Sequence, residues 1–416
     1  MITRVEQKPK FAWPYASPWR WIRGEPAPIS AVDAEIDAIR LYDPLAIRIV
    51  GAPPRKDLTA LIEREVAGLA ARLAGRGRTA AVVVDPTAQS AIRPRDVSEI
   101  LATIERQLGL TDCVPVTLHS DRPTVSAGDA RAYIAAGVNR IVLVADAIAE
   151  RSARNSGANA AFNALEVWVA AARAKGLEEI VFTIGQGDAG QSLSTFRSLV
   201  ESAAALAPDR IDFKVVKTPG PRDGEESEPS LRKIAAKIAQ NVLRKGGYRG
   251  VGAGRYVRSH HRFAQSGGAG LALNPYGEAD DAVTGWIGVG PGALSQIGPV
   301  FAQNKSAPAA YTRELACAGA AFASAWRMTA AERLAAEAVS ALYCAGAADC
   351  RAYLSALSPA AAVSVSSELA RLEAADEIEW RSDKITLIEA GAAVDEIARR
   401  LCRQAATPWR ALAADP

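Results

Sequence analysis

Six short apolar runs, each followed by a helical pattern, occupy the first half of the 416-residue chain and limit the folds open to it. Alternation of this kind predicts a parallel sheet with crossover helices. The runs are almost continuously apolar, as strands covered on both faces should be. Six repeats fit an incomplete (β/α) barrel and an open doubly wound sheet equally well. The predicted strands are LAIRIV (45–50), TAAVVVD (79–85), VPVTLH (114–119), NRIVLVA (139–145), EEIVFTI (178–184) and RIDFKVV (210–216).

Composition narrows the class of protein. Hydrophobic residues make up 49% of the chain and the net charge is +3, which predicts two or three domains and no nucleic-acid partner. No uncharged apolar run reaches the ~18 residues of a membrane span, and the N-terminus lacks the apolar core of a signal peptide. We therefore expect a cytoplasmic protein without a membrane partner. The five cysteines are scattered, without a C-x-x-C motif, which favours reduced, packed thiols.

The second half begins with a glycine-rich segment, TGWIGVGPGALSQIGPVFAQN (284–304), with glycines at 285, 288, 290, 292 and 298. It lacks the register of a phosphate-binding loop. Glycine is used where a backbone approaches something closely, so we expect either close backbone packing or a ligand-facing loop. Residues 307–416 read as mostly helical, with a hairpin predicted at 377–388 around Ser382 and Asp383. This combination favours a winged-helix-like C-terminal domain.

Several segments together resemble a known family. GWIGVGPGALSQIGPVFAQN resembles the glycine-rich segment of the oxygen-independent coproporphyrinogen dehydrogenases, in the radical S-adenosylmethionine superfamily. PLAIRIVGAP (44–53), AGVNRIVLVADAI (136–148), APDRIDFKVV (207–216) and GGYRGVGAGRYVR (246–258) follow in the family's order. The resemblance implies an incomplete (β/α)₆ barrel over residues 44–304. An extension packing on the barrel (1–43) would precede it, and a helical, winged-helix-like domain (305–416) would follow.

The chain differs from that family at the residues that hold the family's iron–sulfur cluster and its cofactor. The family's cysteine triad after the first strand holds a [4Fe–4S] cluster, whereas the corresponding segment here, VGAPPRKDLTAL (50–61), has no cysteine, and none occurs among residues 1–112. The glycines that would meet the cofactor's methionine group are replaced within VVVDPTAQS (82–90), and expected strand carboxylates are missing. We therefore expect no [4Fe–4S] cluster, weak S-adenosylmethionine binding or none, and no classical radical reaction.

A ligand site is nevertheless predicted where the family has its barrel mouth. Guanidinium groups bind carboxylates, aromatic rings cover a macrocycle, and histidine ligates haem iron. A propionate-bearing tetrapyrrole, haem or porphyrin, suits this chemistry, although the basic segment GRYVRSHHRF (254–263) also fits a solvated loop. The expected ligand-binding residues are Arg255, Tyr256, Arg258, His260, Gly288, Gly290, Gly292, Gln303 and Asn304.

Two function classes stay open from the sequence. The first is a non-radical paralogue that binds a tetrapyrrole or a protein partner, either a related enzyme or a second copy of itself. The second is a cluster-free enzyme that uses the barrel mouth for different chemistry.

Minor candidates lie at strand ends and near the N-terminus. Asp85 and His119 could form an acid/base pair at the mouth, or simply be strand-end residues. The polar residues of GQGDAGQS (185–192) lie where barrel active sites form, but a helix cap explains them equally. The aromatic stretch 11–21 fits a lid, a partner-binding strip or packing on the barrel. The three polar residues of that turn are Gln186, Asp188 and Gln191.

Overall fold

The structure is a computed structural model. It describes residues 18–22, 24–51, 58–85, 92–120, 127–145, 158–186, 192–215, 229–388 and 394–405.

The centre of the molecule is a parallel sheet in which each strand pairs with the next along the chain. All six predicted strands are confirmed, and a helix follows each of them. The strands are β2 (Pro44–Val50), β3 (Arg78–Asp85), β4 (Val116–Ser120), β5 (Arg140–Val144), β6 (Glu179–Gln186) and β7 (Arg210–Val215). The helices are α2 (Leu58–Leu73), α3 (Pro94–Leu108), α4 (Ala127–Ala135), α5 (Ala158–Ala174), α6 (Leu193–Ala205) and α7 (Pro229–Lys245).

Side-chain alternation along these strands separates two environments. One face of each strand enters the main apolar core beneath the helices, as Ile47 and Ile49 do on β2. Helix α2 covers that core with Ile62, Val66 and Leu69, which recur at helical spacing. The opposite face of the sheet carries charged side chains such as Arg48, together with a small apolar cluster of Ala46, Val83 and Trp286. The main core therefore lies on the outer side of the sheet, and the buried charges lie on its inner side.

The sheet contains a seventh parallel strand, which was not predicted from the sequence. The glycine-rich segment supplies β12 (Gly285–Val289), which pairs in parallel with β2 on the side away from β3. The sheet continues through β13 (Leu294–Ile297), β14 (Val300–Asn304) and β15 (Phe322–Arg327) to the edge strand β1 (Glu25–Ala27). This segment is thus built into the sheet, because its apolar residues alternate between the core and the inner face.

The other edge of the sheet is antiparallel. β9 (Arg255–Arg258) pairs with β7, and β8 (Tyr248–Gly250) pairs with β9. A short helix, α8 (Arg262–Ser266), leads to a separate hairpin of β10 (Leu271–Leu273) and β11 (Ala279–Asp281). We call residues 271–281 the strap, because they lie across the inner face of the sheet.

The C-terminal part forms a second core. Helix α10 (Ala330–Ala345) begins at a capping box of Thr329 and Glu332 and packs against the last helix. The predicted hairpin is confirmed, with Ser382 and Asp383 at φ 51° and 63°. A winged-helix-like classification stays a prediction. The remaining elements are α9 (Pro308–Ala318), β16 (Ala347–Asp349), α11 (Arg351–Ala356), α12 (Pro359–Ala374), β17 (Ile378–Arg381), β18 (Lys384–Leu387) and α13 (Val394–Ala405).

The described part of the N-terminal extension contacts both cores. Trp19 and Ile22 lie in the C-terminal core, whereas Val32 and Ile36 of α1 (Ser30–Ala38) enter the barrel core. Residues 11–17 of the aromatic stretch lie outside the described residues. The domain boundaries at 43/44 and 304/305 stay predictions. None of the helices described is long and apolar enough to cross a membrane.

Candidate functional site

The inner face of the sheet carries an ion-pair network that begins on β2. Arg48 is buried, with a side chain 3% exposed, and its Nη1 donates to Glu278 Oε2 of the strap at 2.6 Å. It also pairs with Asp85 at the end of β3 and stacks over Tyr276, 3.8 Å from the ring centroid. Burial opposes the charge on Arg48, but Glu278 and Asp85 raise its pKa. Arg48 therefore stays charged at the carboxyl end of its strand.

Basic side chains from several strands of the barrel surround the carboxylate of Glu278. Lys214 Nζ of β7 donates to its Oε1 at 2.8 Å, and His119 Nδ1 of β4 lies 3.8 Å from the same oxygen. Since Arg48, His119 and Lys214 belong to three separated strands, the sheet must curl around this carboxylate. Burial acts to raise the pKa of Glu278, but Arg48 and Lys214 outweigh it and hold the pKa well below the ordinary value.

A second network lies nearer the amino ends of β5 to β7. Arg140 Nε pairs with Glu179 Oε2 at 2.8 Å, and His261 Nε2 and Arg210 Nη1 approach Glu179 Oε1 at 3.3 and 3.4 Å. Burial acts to raise the pKa of Glu179, but the neighbouring cations prevail and lower it. Asp280 of the strap, 3.6 Å from Arg140, has its pKa raised by burial.

A cavity of about 90 Å³ lies between the two networks. That space holds a handful of water molecules or one small polar group. Its walls include Thr117, His119 and Thr183 from the strands, the strap, and Tyr343 and Asp395 from the C-terminal part. The C-terminal helices therefore complete a site that the barrel begins.

Two arginines in the cavity wall are incompletely bonded. Arg210 Nε lies 3.1 Å from Asp212 Oδ2, and Arg255 Nε lies 3.3 Å from Asp212 Oδ1. Among the described residues, Nε and Nη1 of both guanidinium groups are buried without a hydrogen bond. Buried donors of this kind are costly and call for a water or an anion. The cavity can therefore accept an anionic group beside Arg210 and Arg255.

The glycines predicted to face a ligand face the protein's own backbone. A Cβ on Gly288 would lie 2.4 Å from the carbonyl oxygen of Leu294, and one on Gly290 would lie 2.2 Å from that of Val50. Gly290 and Gly292 also have φ of +112° and +72°. Close backbone packing is thus present at Gly288 and Gly290 on the side where a Cβ would point, against β13 and β2. A ligand-binding role for Gly288, Gly290 and Gly292 stays a prediction.

The polar pair at the end of the same segment holds the protein together. Gln303 Nε2 donates to the Gly292 carbonyl at 3.3 Å. Asn304 Nδ2 donates to Glu65 Oε1 of α2 at 2.7 Å, and the Gly290 N–H and the Tyr311 hydroxyl donate to Oε2 at 2.7 and 2.5 Å. Burial raises the pKa of Glu65 to about 7 despite these hydrogen bonds. A ligand-binding role for Gln303 and Asn304 stays a prediction.

The basic segment is not gathered at one point. Arg255 lines the cavity, but Tyr256 alternates to the outer face, where its buried ring packs edge-on against Phe213. Arg258, at the far end of β9, donates to the Gly246 carbonyl at 3.3 Å, and His260 is exposed. β9 runs antiparallel to β7, so its successive residues lead away from the mouth. The structure thus brings only Arg255 of this group to the cavity.

The minor candidates also differ in where the structure places them. Asp85 and His119 both lie beside Arg48 and Glu278, and His119 lines the cavity. Burial lowers the pKa of His119, although Glu278 acts in the opposite direction. An acid/base role for the pair stays a prediction. Asp188 and Gln191 lie outside the described residues, as does the side chain of Gln186.

Sequence reasoning missed most of the charged residues in the cavity. Arg210, Asp212 and Lys214 alternate within one strand, and Arg48 interrupts an apolar one. A period of two in charged residues signals a polar inner face. The strap carried a turn signal, NPYG (274–277), but nothing in the sequence placed it against β2, β4 and β7.

The cysteines do not supply a cluster site among the described residues. Cys113 and Cys317 are exposed, whereas Cys344, Cys350 and Cys402 are buried in the C-terminal core. Burial raises the pKa of these three thiols, to about 11 for Cys344 and about 12 for Cys350 and Cys402. No group of three or more potential metal-ligating side chains occurs in the described ranges. These residues do not fit a [4Fe–4S] cluster.

The fold itself has a solved counterpart. No family model matches the sequence, and no curated protein matches it significantly. Coproporphyrinogen III oxidase (HemN) from Escherichia coli, a radical SAM enzyme, is similar in structure with a TM-score of 0.74 and 17% identity, covering 91% of this chain and 93% of that chain. HydG, a maturase of the FeFe-hydrogenase, reaches a TM-score of 0.33 at 10% identity, covering 55% and 58%. The likeness to HemN extends over nearly the whole chain, which therefore has an α/β fold with the parallel core of a radical SAM enzyme.

Proposed function

We propose that this protein is a cluster-free counterpart, by fold, of coproporphyrinogen oxidase, and that it binds a carboxylate of an anionic ligand in the barrel cavity. A tetrapyrrole, haem or porphyrin, is the ligand class favoured by the sequence resemblance. The observation that carries the proposal is the pair Arg210 and Arg255, whose buried guanidinium groups border the cavity. Their Nε atoms ion-pair with Asp212 without forming a hydrogen bond, and Arg255 Nη1 is buried without a hydrogen bond. Charge-assisted bonds to such groups are the strong ones.

The cavity limits how much of a ligand enters. About 90 Å³ accommodates a carboxylate arm and excludes a macrocycle. The ring of a porphyrin would therefore lie outside the cavity while one propionate reaches Arg255. This arrangement needs neither cysteine thiolates nor S-adenosylmethionine, in keeping with a chain that has no cysteine among residues 1–112.

Titration with haem and with coproporphyrin, followed by absorbance or fluorescence, tests the proposal. The tetramethyl ester of coproporphyrin is the matched ligand control, since it keeps the ring and loses the carboxylates. We expect saturable binding of the free acid, weakened about tenfold or more in Arg255→Gln, and little binding of the ester. Arg258→Gln is the matched protein control, because Arg258 lies on the same strand away from the cavity.

Failure of the wild type to bind either tetrapyrrole saturably would contradict the proposal, as would equal affinity in Arg255→Gln and Arg258→Gln. Asp212 keeps Arg210 as an ion-pair partner when Arg255 is removed. Thermal unfolding of both variants separates a binding defect from a folding defect.

A cluster-free enzyme is the second proposal, and His119 favours it. Its ring lies in the cavity wall with a pKa lowered by burial, so it is neutral near pH 7 and can accept a proton. Chemical change of a bound ligand, lost in His119→Gln with binding retained, would favour this function. The proposed protein partner, a related enzyme or a second copy, rests on the sequence alone.

A further inference from the structure

The strap is positioned by contacts that do not involve Glu278. β10 and β11 pair through Leu271↔Asp281 and Leu273↔Ala279. The Leu273 N–H donates to Ser340 Oγ at 3.0 Å, and Trp19 Nε1 donates to the Asn274 carbonyl at 2.8 Å. These bonds tie the strap to the C-terminal part and the N-terminal turn. These contacts hold the backbone of the strap, so the Glu278 carboxylate is not needed to keep the strap in place.

The surroundings of that carboxylate are those of a bound anion. Each oxygen of Glu278 meets a different cation, Oε2 with Arg48 at 2.6 Å and Oε1 with Lys214 at 2.8 Å. Asn274 Nδ2 adds a contact to Oε2 at 3.4 Å. These donors come from β2, β7 and the strap, while the carboxylate arrives on the short strap turn. The barrel thus forms a carboxylate-binding site, and the side chain of Glu278 occupies it.

This site is continuous with the proposed ligand cavity. Glu278 and Lys214 line the same cavity as Arg210 and Arg255. A carboxylate that enters beside Arg255 therefore has a further cation, Lys214, in the wall of the same cavity, and Arg48 lies directly behind Glu278. Asp85 already pairs with Arg48, so loss of the Glu278 carboxylate would leave Lys214 as the cation most in need of an anion.

We propose that Arg48 and Lys214 form a carboxylate-binding subsite, which Glu278 occupies as an internal stand-in and which a ligand carboxylate takes when it displaces the Glu278 side chain. The inference rests on the proposed function, because it assigns the cavity a second anchoring point for the same class of ligand. It makes Glu278 a competitor of the ligand. Removing its carboxylate exposes the subsite to small external carboxylates.

Glu278→Ala tests the subsite without any tetrapyrrole. The atoms that this substitution removes are those of an acetate ion, so formate or acetate can enter in their place. We expect the variant to be less stable than the wild type and to regain stability saturably with formate or acetate, by roughly 2–3 °C in Tm. Chloride at matched ionic strength should not reproduce the effect, and the wild type should not respond.

Glu278→Gln is the matched control, since it removes the charge and keeps the volume. Formate should fail to stabilise it. If Glu278→Ala does not fold unaided, refolding in formate should recover folded protein and refolding in chloride should not. Equal formate effects in the wild type, the Ala and the Gln variants would overturn the subsite, as would no formate effect and no recovery of the Ala variant. A negative haem titration leaves this result intact, so the two proposals fail separately.

Discussion

At the scale of single residues, conformation and close contact account for features that resemble a binding motif. Gly290 has a φ of +112°, and an added Cβ would lie 2.2 Å from the Val50 carbonyl oxygen. Its N–H also donates to Glu65. A glycine that touches backbone on one side and a buried carboxylate on the other is required by folding. The sequence motif therefore reports packing at this position.

Gly290→Ala should consequently destabilise the fold strongly, by about 3 kcal/mol or more, because it combines backbone strain with a clash against a main-chain atom. Gly176→Ala is the matched control: its φ is +78°, but a Cβ there meets nothing within 4 Å. That variant should lose only about 1 kcal/mol. The free energy of unfolding from urea titration measures both, and similar losses would contradict the explanation.

At the scale of elements, Glu65 joins three pieces of the barrel. It lies on α2 and accepts hydrogen bonds from the turn after β12, from Asn304 on β14 and from Tyr311 on α9. This junction holds the β12–β14 hairpins against the first helix of the barrel. Because the carboxyl is buried, its ionisation couples to the stability of the junction.

The pKa of Glu65 predicts a pH dependence. Burial raises it from 4.5 to about 7, so the folded state binds the proton more tightly than the unfolded state. The stabilisation is fully present below about pH 4.5 and is lost as pH rises through about 7, a change of about 3 kcal/mol. Urea unfolding from pH 5 to 8 should show this loss in the wild type and not in Glu65→Gln. His119 contributes in the opposite direction but equally to both proteins, so parallel slopes would contradict the prediction.

At the scale of the whole molecule, the chain shares the fold of HemN, and the inner face of its sheet carries paired charges. Arginine, lysine and carboxylate side chains from β2 to β7 and from the strap neutralise one another around a small cavity. The C-terminal part closes that cavity with Tyr343 and Asp395. The barrel and the C-terminal part thus enclose these charges together.

Anaerobic reconstitution with iron and sulfide should accordingly yield no stoichiometric cluster. The exposed thiols Cys113 and Cys317 lie in different parts of the chain, and the other three are buried with raised pKa values, which disfavour the thiolate that ligates iron. Iron and sulfide analysis with EPR spectroscopy measures the outcome. A stoichiometric signal that disappears in Cys113→Ser or Cys317→Ser would refute the prediction.

The six parallel strands, their helices and the hairpin at Ser382 and Asp383 are predictable from the sequence, because hydrophobic period and turn residues are local properties. The sequence also indicates the family whose fold the chain shares. Which charges meet depends on tertiary packing, since Arg48 and Glu278 lie 230 residues apart and pair across a curved sheet. The same holds for Gly290, whose neighbour Val50 is brought close by the parallel pairing of β12 with β2. A strand's period says which face a side chain occupies, but the partner on that face depends on how distant segments pack.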